Sequence, residues 1–334
     1  MSLPRLQRAV QIAAPCAARA LAVSRVAVPQ PGPGQVLVRN RVAGLNFIDT
    51  YQRSGLYPVA LPFTLGAEGA GELVGLGEGT QALFPRGRGS RVVYYSAGGA
   101  YAEYSCVKAD NCVELPAGLT EEQGVCLMTQ GLTADYLATD TFAVGAGHTV
   151  LVHAASGGTG QLLVQIARLR GARVIGTASE AKRELGLQAG ACEMLAYDKL
   201  SKDEMVARVR ALTDGRGVDV VYDGVGKSTY ELSLDCVKQR GLVVFFGNAS
   251  GRVPPIDPLT LSAKGSIYIT RPTLYHYLSG RDEFQARASR LFSWALEGRL
   301  KLSLDRSFPL ERAAEAHEYI EQGKTRGKVT ISML

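Results

Sequence analysis

The residues that most directly suggest chemistry form a glycine-rich turn, Ala155-Ser156-Gly157-Gly158-Thr159-Gly160. It follows an apolar run and opens a stretch with helical periodicity. In such a turn Gly157 lets the backbone approach a pyrophosphate, and Gly160 lets helix and strand pack closely. Ala155 stands where the first glycine is usual, and it fits there if its φ is negative. The turn therefore predicts a dinucleotide site at the start of a helix.

The choice of dinucleotide is expected about 20 residues further on, where an NAD enzyme places an acid against the ribose 2′-hydroxyl. The next β run ends at Ser179 without an acid. Ser179 can donate a hydrogen bond, and Lys182 or Arg183 can meet a 2′-phosphate. Both cations also fit solvated positions on a helix, and Glu180, shifted by a residue or two, could act as the NAD-type acid. The sequence favours NADPH and leaves NADH open.

The elements that position this turn recur along the chain at intervals of roughly 20 to 25 residues, the spacing of βα units. Six β-rich runs alternate with helical stretches, at residues 149–153, 173–177, 194–196, 218–222, 242–246 and 266–270. Most are unbroken apolar runs, which is typical of strands buried on both faces of a parallel sheet. We therefore predict a six-stranded doubly wound (Rossmann) sheet in residues 133–270, with helices on both faces.

The flanking segments have a different pattern. Residues 69–76 and 90–95 are glycine-punctuated β runs, which indicates a mostly β region. The tail adds helices near residues 291–296 and 313–320 and a strand at 329–331, too little for a domain of its own. We expect it to complete the first region. The predicted domains are then residues 1–132 with 271–334, and residues 133–270.

Composition narrows the class of protein. The chain has 334 residues, 46% of them hydrophobic, and a net charge of +6, which is typical of a two-domain globular α/β protein. Six scattered cysteines predict reduced thiols and a cytoplasmic location. The residues before Asp49 include arginines but no acidic residue, which is also typical of an organelle-targeting presequence. The β runs in this segment favour strands of the folded domain instead. No apolar run is long enough to span a membrane. The sequence also has no clustered basic stripe with interleaved aromatic residues, so we do not expect nucleic-acid binding.

Several ordered segments resemble the zinc-free quinone oxidoreductases of the medium-chain dehydrogenase/reductase superfamily, the zeta-crystallin-like family. The likeness covers nearly the whole chain. Besides the glycine turn, the matching segments are Gly44-Leu45-Asn46-Phe47-Ile48-Asp49-Thr50-Tyr51, Ser54-Gly55-Leu56-Tyr57-Pro58, Gly66-Ala67-Glu68-Gly69-Ala70-Gly71, Gly99-Ala100-Tyr101-Ala102-Glu103-Tyr104, Tyr222-Asp223-Gly224-Val225-Gly226 and Thr270-Arg271-Pro272.

The resemblance implies a GroES-like, mostly β catalytic domain, a Rossmann domain, NADPH as hydride donor and a homodimer or tetramer. It implies that Asn46 and Tyr57 line the nicotinamide and quinone end of the site. The cofactor contacts that it implies are Asn46, Thr133, Gly157, Gly158, Thr159, Ser179, Lys182, Tyr197, Phe246, Gly247, Ile269 and Thr270. The chain departs from the pattern at Gly224, often a polar residue in relatives, and at Gly323, an Arg in some, for which Arg326 could substitute.

The resemblance also bears on metals. Zinc-dependent relatives bind the metal with a Cys in the segment matching Asn46 and a His in the segment matching Ala67, and this chain has neither. Catalytic zinc needs about three protein ligands, and only acids such as Asp49 and Glu68 are nearby in sequence. None of the four histidines is paired at metal-binding spacing. We expect no metal site.

Without a metal to polarise a carbonyl, the favoured substrate is a good hydride acceptor, and a quinone qualifies. Asn46 and Tyr57 either orient the substrate and donate hydrogen bonds to the forming quinol oxygen, or only shape the pocket and touch the nicotinamide. Two other functions stay open. One is NADPH-dependent reduction of activated C=C bonds in enones or enoyl thioesters. The other is a non-catalytic, crystallin-like protein that binds NADPH or RNA.

Overall fold

A computed structural model describes residues 3–333. In this part of the chain sixteen β-strands alternate with helices. The strands are β1 (Leu6–Ile12), β2 (Val23–Ala27), β3 (Gln35–Leu45), β4 (Phe63–Thr64), β5 (Glu68–Leu76), β6 (Arg91–Tyr95), β7 (Tyr104–Lys108), β8 (Cys112–Glu114), β9 (Thr149–Val152), β10 (Arg173–Ala178), β11 (Glu193–Ala196), β12 (Val218–Asp223), β13 (Val237–Phe245), β14 (Tyr268–Thr270), β15 (Leu304–Pro309) and β16 (Lys328–Ser332).

The same residues form ten α-helices: α1 (Phe47–Ser54), α2 (Glu121–Cys126), α3 (Thr133–Tyr136), α4 (Gly158–Leu169), α5 (Arg183–Gln188), α6 (Lys202–Ala211), α7 (Tyr230–Cys236), α8 (Pro258–Ala263), α9 (Arg281–Leu296) and α10 (Ala313–Glu321). Segments of π-helix, Leu127–Leu132 and Leu137–Thr141, flank α3. The short 3₁₀ helices are Ala18–Ala20, Gln81–Leu83, Ala109–Asn111, Glu180–Lys182, Leu274–Tyr277 and Leu310–Arg312. None of the helices formed by residues 3–333 is long and apolar enough to cross a bilayer.

Contacts divide the chain into two compact units. Unit 1 comprises Met1–Leu132 and Leu278–Leu334, and unit 2 is Thr133–Tyr277. Residues 271–277 thus group with unit 2, seven residues beyond the predicted boundary at 270. The assignment of a separate function to each unit stays a prediction.

Unit 1 is built on two sheets. Its larger sheet has seven strands in the order β15-β16-β3-β5-β6-β8, with β7 also paired to β3, and a second sheet has the order β2-β1-β4. Every pairing except that of β15 with β16 is antiparallel. The tail contributes β15, β16 and α10, whose buried Ile331 and Ala316 join the same core as Val38 and Leu45. Unit 1 is therefore a discontinuous, mostly β unit.

Unit 2 is a six-stranded parallel sheet in the order β11-β10-β9-β12-β13-β14. All six predicted β runs are present, although β13 begins at Val237 rather than at residue 242. The central strand β9 is buried along Val150, Leu151 and Val152, as a strand covered on both faces must be. The change of direction in strand order falls between β9 and β12, and such a switch point is where open α/β sheets bind ligands. The predicted fold class is confirmed.

Candidate functional site

The phosphate turn, residues 155–160, lies between β9 and α4 as predicted. Gly157 is the N-cap of α4, and its φ is −80°. Because Gly157 has no side chain, this cap supplies no side-chain hydrogen bond to the first turn of α4. Because the first N–H groups of a helix have no intrahelical acceptor, they suit an anion, and the positive end of the helix dipole adds to the attraction. The turn fits a pyrophosphate.

The turn depends on a glycine at residue 160 and on a left-handed alanine at residue 154. A Cβ on Gly160 would lie 2.8 Å from the Cα of Ala155, so only glycine permits this approach of helix to strand. The left-handed residue is Ala154, with a φ of 51°, and Ala155 does not adopt a positive φ. Alanine therefore fits at residue 155 as predicted, and the strained conformation falls one residue earlier.

Ser179, Lys182 and Tyr197 gather beside the turn at the carboxyl ends of β10 and β11. The Ser156 hydroxyl donates to the Lys182 carbonyl at 2.6 Å. The backbone N–H of Tyr197 donates to Ala178 at 3.0 Å, and the Tyr197 side chain is exposed. Arg183 instead pairs with Glu193 at 3.2 Å. The backbone of Lys182 is therefore bonded to the phosphate turn, whereas the Arg183 side chain is paired with an acid.

Four of the cofactor contacts that the resemblance implies, Phe246, Gly247, Ile269 and Thr270, lie at the carboxyl ends of β13 and β14. The Phe246 N–H donates to the Asp223 carbonyl at 2.8 Å. A Cβ on Gly247 would lie 3.0 Å from the Cα of Gly224, and a Cβ on Gly224 would lie 2.8 Å from the Phe246 ring. A side chain at residue 224 would therefore have to displace the Phe246 ring, and one at residue 247 would meet the backbone of Gly224. Ile269 and Thr270 end the neighbouring strand β14.

Asp223 organises the same edge of the sheet, although the sequence interpretation gave it no role. Its buried carboxylate accepts hydrogen bonds from the N–H groups of Val225 at 2.8 Å and Gly226 at 2.9 Å, and from the hydroxyls of Thr229 and Ser233. His153 is also buried here. Burial lowers the pKa of His153, and the nearby Asp223 charge partly opposes that shift. The signal available in the sequence was an acid placed directly at the end of an apolar strand.

Asn46 lies at the centre of a buried polar group in unit 1, which we call the Asn46 cluster: Asn46, Asp49, Glu68, Tyr101 and Lys328. Asn46 is the N-cap of α1 and is 6% exposed, whereas Asp49, Glu68 and Lys328 are fully buried. Its side-chain amide donates to Glu68 Oε1 at 2.8 Å and accepts from Lys328 Nζ at 2.9 Å. Lys328 and Glu68 form a buried ion pair.

Backbone groups complete the Asn46 cluster. The N–H groups of Asn46 and Ala67 donate to the Asp49 carboxylate at 2.8 and 3.0 Å, and that of Thr129 donates to Glu68 Oε2 at 2.6 Å. Burial raises the pKa of Asp49 to about 7, the hydrogen bond from Asn46 opposes that shift, and the nearby Glu68 charge adds to it. Burial, with the Asp49 charge, raises the pKa of Tyr101 well above its ordinary value.

Tyr57, the second predicted catalytic residue, lies at the opposite end of α1 from Asn46. Its ring centroid is 5.1 Å from that of Tyr51, and its N–H donates to the Tyr51 carbonyl at 3.0 Å. Tyr57 is half-buried and Tyr51 is buried. The Tyr57 ring therefore packs against the Tyr51 ring. Its role as a hydrogen-bond donor stays a prediction.

The sequence interpretation missed Lys328. It stands between Gly327 and a run of strand residues, Val329-Thr330-Ile331, where a lysine is ordinarily assigned to a solvated face. Its partners Glu68 and Asn46 are 260 and 282 residues away in sequence. The pairing of β3 with both β16 and β5 brings them together, through contacts such as Val329 with Leu45 and Ala43 with Gly69. The residues next to Lys328 in the sequence do not predict this contact.

The other residues considered from the sequence, His317, Gly323, Arg326 and the cysteines, have no catalytic arrangement around them in the part of the chain that the structure describes. His317 is buried against Arg53 and Tyr101, and burial lowers its pKa to about 3. Gly323 ends α10 with a φ of 63°, and Arg326 donates its N–H to Asp305 at 2.8 Å. All six cysteines are free thiols. From Leu3 to Met333, no three His, Cys, Asp or Glu side chains are grouped so as to hold a metal ion.

Comparison with known proteins gives the family. Residues 32–117 match the alcohol dehydrogenase GroES-like domain, and residues 158–294 match the zinc-binding dehydrogenase domain. The chain is 44% identical to a quinone oxidoreductase of Pseudomonas aeruginosa over 305 residues, which covers 90% of this chain and 92% of that protein. It is 39% identical to a 2-haloacrylate reductase of Burkholderia over 315 residues, covering 92% and 93%.

A solved structure extends the likeness to three dimensions. The quinone oxidoreductase of Escherichia coli, solved in complex with NADPH, superposes with a TM-score of 0.93 at 37% identity, covering 97% of this chain and 99% of that one. The similarity spans both units and the resemblance seen in the sequence is confirmed. The chain belongs to the quinone oxidoreductases of the medium-chain dehydrogenase/reductase superfamily.

Proposed function

We propose that the protein is an enzyme that reduces quinones with NADPH. The observation that carries this proposal is the 44% identity to a quinone oxidoreductase along nine tenths of the chain. The uncapped phosphate turn supports a dinucleotide, and the acid-free end of β10 with Ser179 and Lys182 supports the 2′-phosphate of NADPH.

When bound, NADPH supplies a hydride, which with one proton converts a quinone to a quinol. The protein has to bind the cofactor, hold the acceptor and exclude water. The first turn of α4 binds the pyrophosphate through its N–H groups, while Ser179, Lys182 and Tyr197 hold the adenosine end. In unit 2 the contacts assigned to the nicotinamide half are Gly247, Ile269 and Thr270, and Thr133 and Phe246 are further cofactor contacts.

Asn46 and Tyr57 are the residues that we assign to the acceptor. Asn46 has a second amide N–H beyond the one that it donates to Glu68, and Tyr57 carries a hydroxyl on a ring packed against Tyr51. If Tyr57 donates to the forming quinol oxygen, Tyr57→Phe lowers kcat by about tenfold or more while NADPH affinity holds. Unchanged turnover and KM in Tyr57→Phe would assign this residue to packing alone.

The deciding experiment is a set of NADPH-oxidation assays with 1,4-benzoquinone, 9,10-phenanthrenequinone and simple enones, paired with fluorescence titrations of NADPH and NADH. We expect the quinones to be reduced and NADPH to bind more tightly than NADH. Tighter binding of NADH would assign Glu180 the ribose contact and overturn the choice of cofactor. NADPH binding without turnover of any acceptor would favour the non-catalytic, crystallin-like function.

Reduction of activated C=C bonds is the second candidate function. It is favoured by the 39% identity to the 2-haloacrylate reductase, a similarity nearly as extensive as that to the quinone oxidoreductases. A 2-haloacrylate and an enone should therefore be assayed with the quinones at matched concentrations. Higher kcat/KM for either of them than for every quinone would make this the principal activity.

We further propose that the chain forms a homodimer through the edge of the unit 2 sheet. Among residues 3–333, strand β14 pairs only with β13 and leaves its other edge open. Tyr268 and Ile269 on that strand are exposed, as is Leu259 in α8. An open apolar edge is a template for pairing with a second copy. Light scattering should give a dimer for the wild type and a monomer for Tyr268→Lys.

A cytoplasmic location is the remaining proposal. It is supported by six free thiols spread singly along the chain, the usage expected of a protein kept in a reducing compartment. Cell fractionation with a tagged full-length chain tests it, with a known membrane protein and a known cytoplasmic protein as markers. Recovery with an organelle or a membrane fraction would overturn it.

A further inference from the structure

The Asn46 cluster contains an ion pair that is fully withdrawn from solvent. Lys328 and Glu68 are both 0% exposed. The Lys328 ammonium contacts Glu68, the Asn46 side-chain oxygen at 2.9 Å and the Leu45 carbonyl at 3.3 Å. The second carboxylate oxygen of Glu68 is bonded to the backbone of Thr129. Both charges are therefore fixed in place by several hydrogen bonds each.

These two charges determine which way the Asn46 amide faces. An amide has a donating end and an accepting end of nearly the same shape, so its orientation depends on its partners. Glu68 can only accept and Lys328 can only donate. The Asn46 nitrogen must therefore face Glu68 and its oxygen must face Lys328, as observed. The reverse orientation would place two donors together and two acceptors together.

Stability alone does not account for this pair. Burying an ion pair often gives no net stabilisation over apolar residues of similar size, because both ions lose their hydration. The fold also makes room for it. A Cβ on Gly44 would lie 2.6 Å from Lys328 Cε and 2.7 Å from Glu68 Cδ, so any side chain at residue 44 would displace the pair. Gly44 has no positive φ that would otherwise require glycine.

We infer that Lys328 and Glu68 are positioning residues that hold the Asn46 amide in the orientation needed for reduction of the acceptor. They act through Asn46 and touch neither cofactor nor acceptor. In this orientation the N–H of Asn46 that is not donated to Glu68 is available to the reaction. The inference rests on the proposed function for its effect on catalysis. The orientation of the amide itself can be measured without a substrate.

The test is the double variant Glu68→Gln/Lys328→Met. It removes both charges together and keeps the side-chain volumes, so neither ion of the pair is left buried without its partner. The oxygen of the introduced glutamine can still accept from Thr129, which turns its NH₂ group toward Asn46. We expect the Asn46 amide to flip, so that its oxygen accepts from the new amide. The expected result is a fall in kcat of about tenfold or more, with NADPH affinity within about twofold of the wild type.

A cycle with Asn46→Ala separates positioning from a general structural effect. If the pair acts through Asn46, adding the double change to Asn46→Ala lowers kcat no further. The side-chain amide NMR signal of Asn46, identified by its loss in Asn46→Ala, should shift and exchange faster in the double variant. The matched control is Glu283→Gln/Arg287→Met, which removes another ion pair with a buried cation, in α9. It should leave kcat, NADPH affinity and the Asn46 signal unchanged.

Three results would overturn the inference: wild-type kcat in the double variant, a further loss of kcat when it is added to Asn46→Ala, or an unchanged Asn46 amide signal. If the wild type reduces none of the acceptors, the proposed function fails instead. The amide signal, recorded without any acceptor, still decides in that case whether the pair orients Asn46.

Discussion

The phosphate turn of unit 2 and the Asn46 cluster of unit 1 are built by opposite means. The turn spans residues 155–160 and offers backbone groups to a ligand. It has a helix N-terminus without a side-chain cap and a glycine at 160 that lets the helix approach the strand, and it contains no charged side chain. The Asn46 cluster works through side chains, with one lysine and two acids fully buried around a single amide. The turn is local and partly exposed, whereas the Asn46 cluster is assembled from distant residues and is buried except for a small exposed fraction of Asn46.

The difference predicts how each site responds to change. A site built from backbone groups is disturbed by a substitution that adds a Cβ, because the added atom displaces the helix. Damage to such a site appears mainly as weaker ligand binding. A buried charged site is disturbed by charge, because an ion left without its partner is costly in a low-dielectric interior. Its loss appears mainly in folding stability and in the pH dependence of stability. The following predictions test that contrast.

Lys328→Met should have the largest effect. It leaves the Glu68 carboxylate buried without its cation, so the free energy of unfolding should fall by about 3 to 5 kcal/mol. Urea unfolding measures this. The matched control is Lys202→Met, which loses ion pairs of a side chain that is 43% exposed. The control should change stability far less than Lys328→Met does, because solvent screens its ion pairs. Equal effects in the two variants would remove the distinction between the sites.

Asp49 should make stability fall as pH rises from about 4 to about 7. Its pKa is about 7 in the folded protein against 3.8 ordinarily. Over this range the folded state keeps a proton that the unfolded state has released, so rising pH favours the unfolded state. The loss of stability stops once Asp49 is also deprotonated in the folded protein. Relative to Asp49→Asn, the wild type should lose a few kcal/mol, at most about 4, across the range. Unfolding midpoints at a series of pH values measure it.

The control for that series is Asp214→Asn, a side chain that is 90% exposed. Its pH dependence should parallel that of the wild type. If Asp49→Asn also parallels the wild type, Asp49 titrates normally in the folded protein and the cluster is less withdrawn from water than its burial indicates.

Gly160→Ala should disturb unit 2 through shape. The added Cβ would lie 2.8 Å from the Ala155 Cα, so α4 has to shift away from β9. We expect a stability loss of about 1 to 3 kcal/mol and a loss of NADPH affinity of about tenfold or more. Gly145→Ala is the matched control, because a Cβ there meets nothing within 4 Å. NADPH affinity that survives Gly160→Ala would contradict a backbone-built site.

Lys182→Ala should have the smallest effect and the most selective one. Loss of a cation beside the 2′-phosphate should weaken NADPH binding by about tenfold, or roughly 1.4 kcal/mol, and leave NADH binding unchanged. Fluorescence titration of both cofactors measures it, with the exposed Lys199→Ala as control. Equal weakening of both cofactors would assign Lys182 to the turn's backbone geometry rather than to the phosphate.

The sequence predicted unit 2 well because its signals are local. Six apolar runs, a glycine turn and an acid-free end at Ser179 each lie within a few residues of the structure that they specify. It also placed α10 and the strand at 329–331 correctly from periodicity. It did not predict β15 or the start of β13 at Val237, because exposed or irregular strands such as β15 lack a clear apolar pattern.

What the sequence determined by itself is the fold class, the position of the phosphate turn and the membership of the family. What only the tertiary structure decided is the environment of Asn46. Its partners Glu68 and Lys328 come from β5 and β16, and the pairing of β3 with both strands brings them to one point. A lysine in a β run is ordinarily solvated. This one is buried because Gly44 leaves room for it and Glu68 compensates its charge.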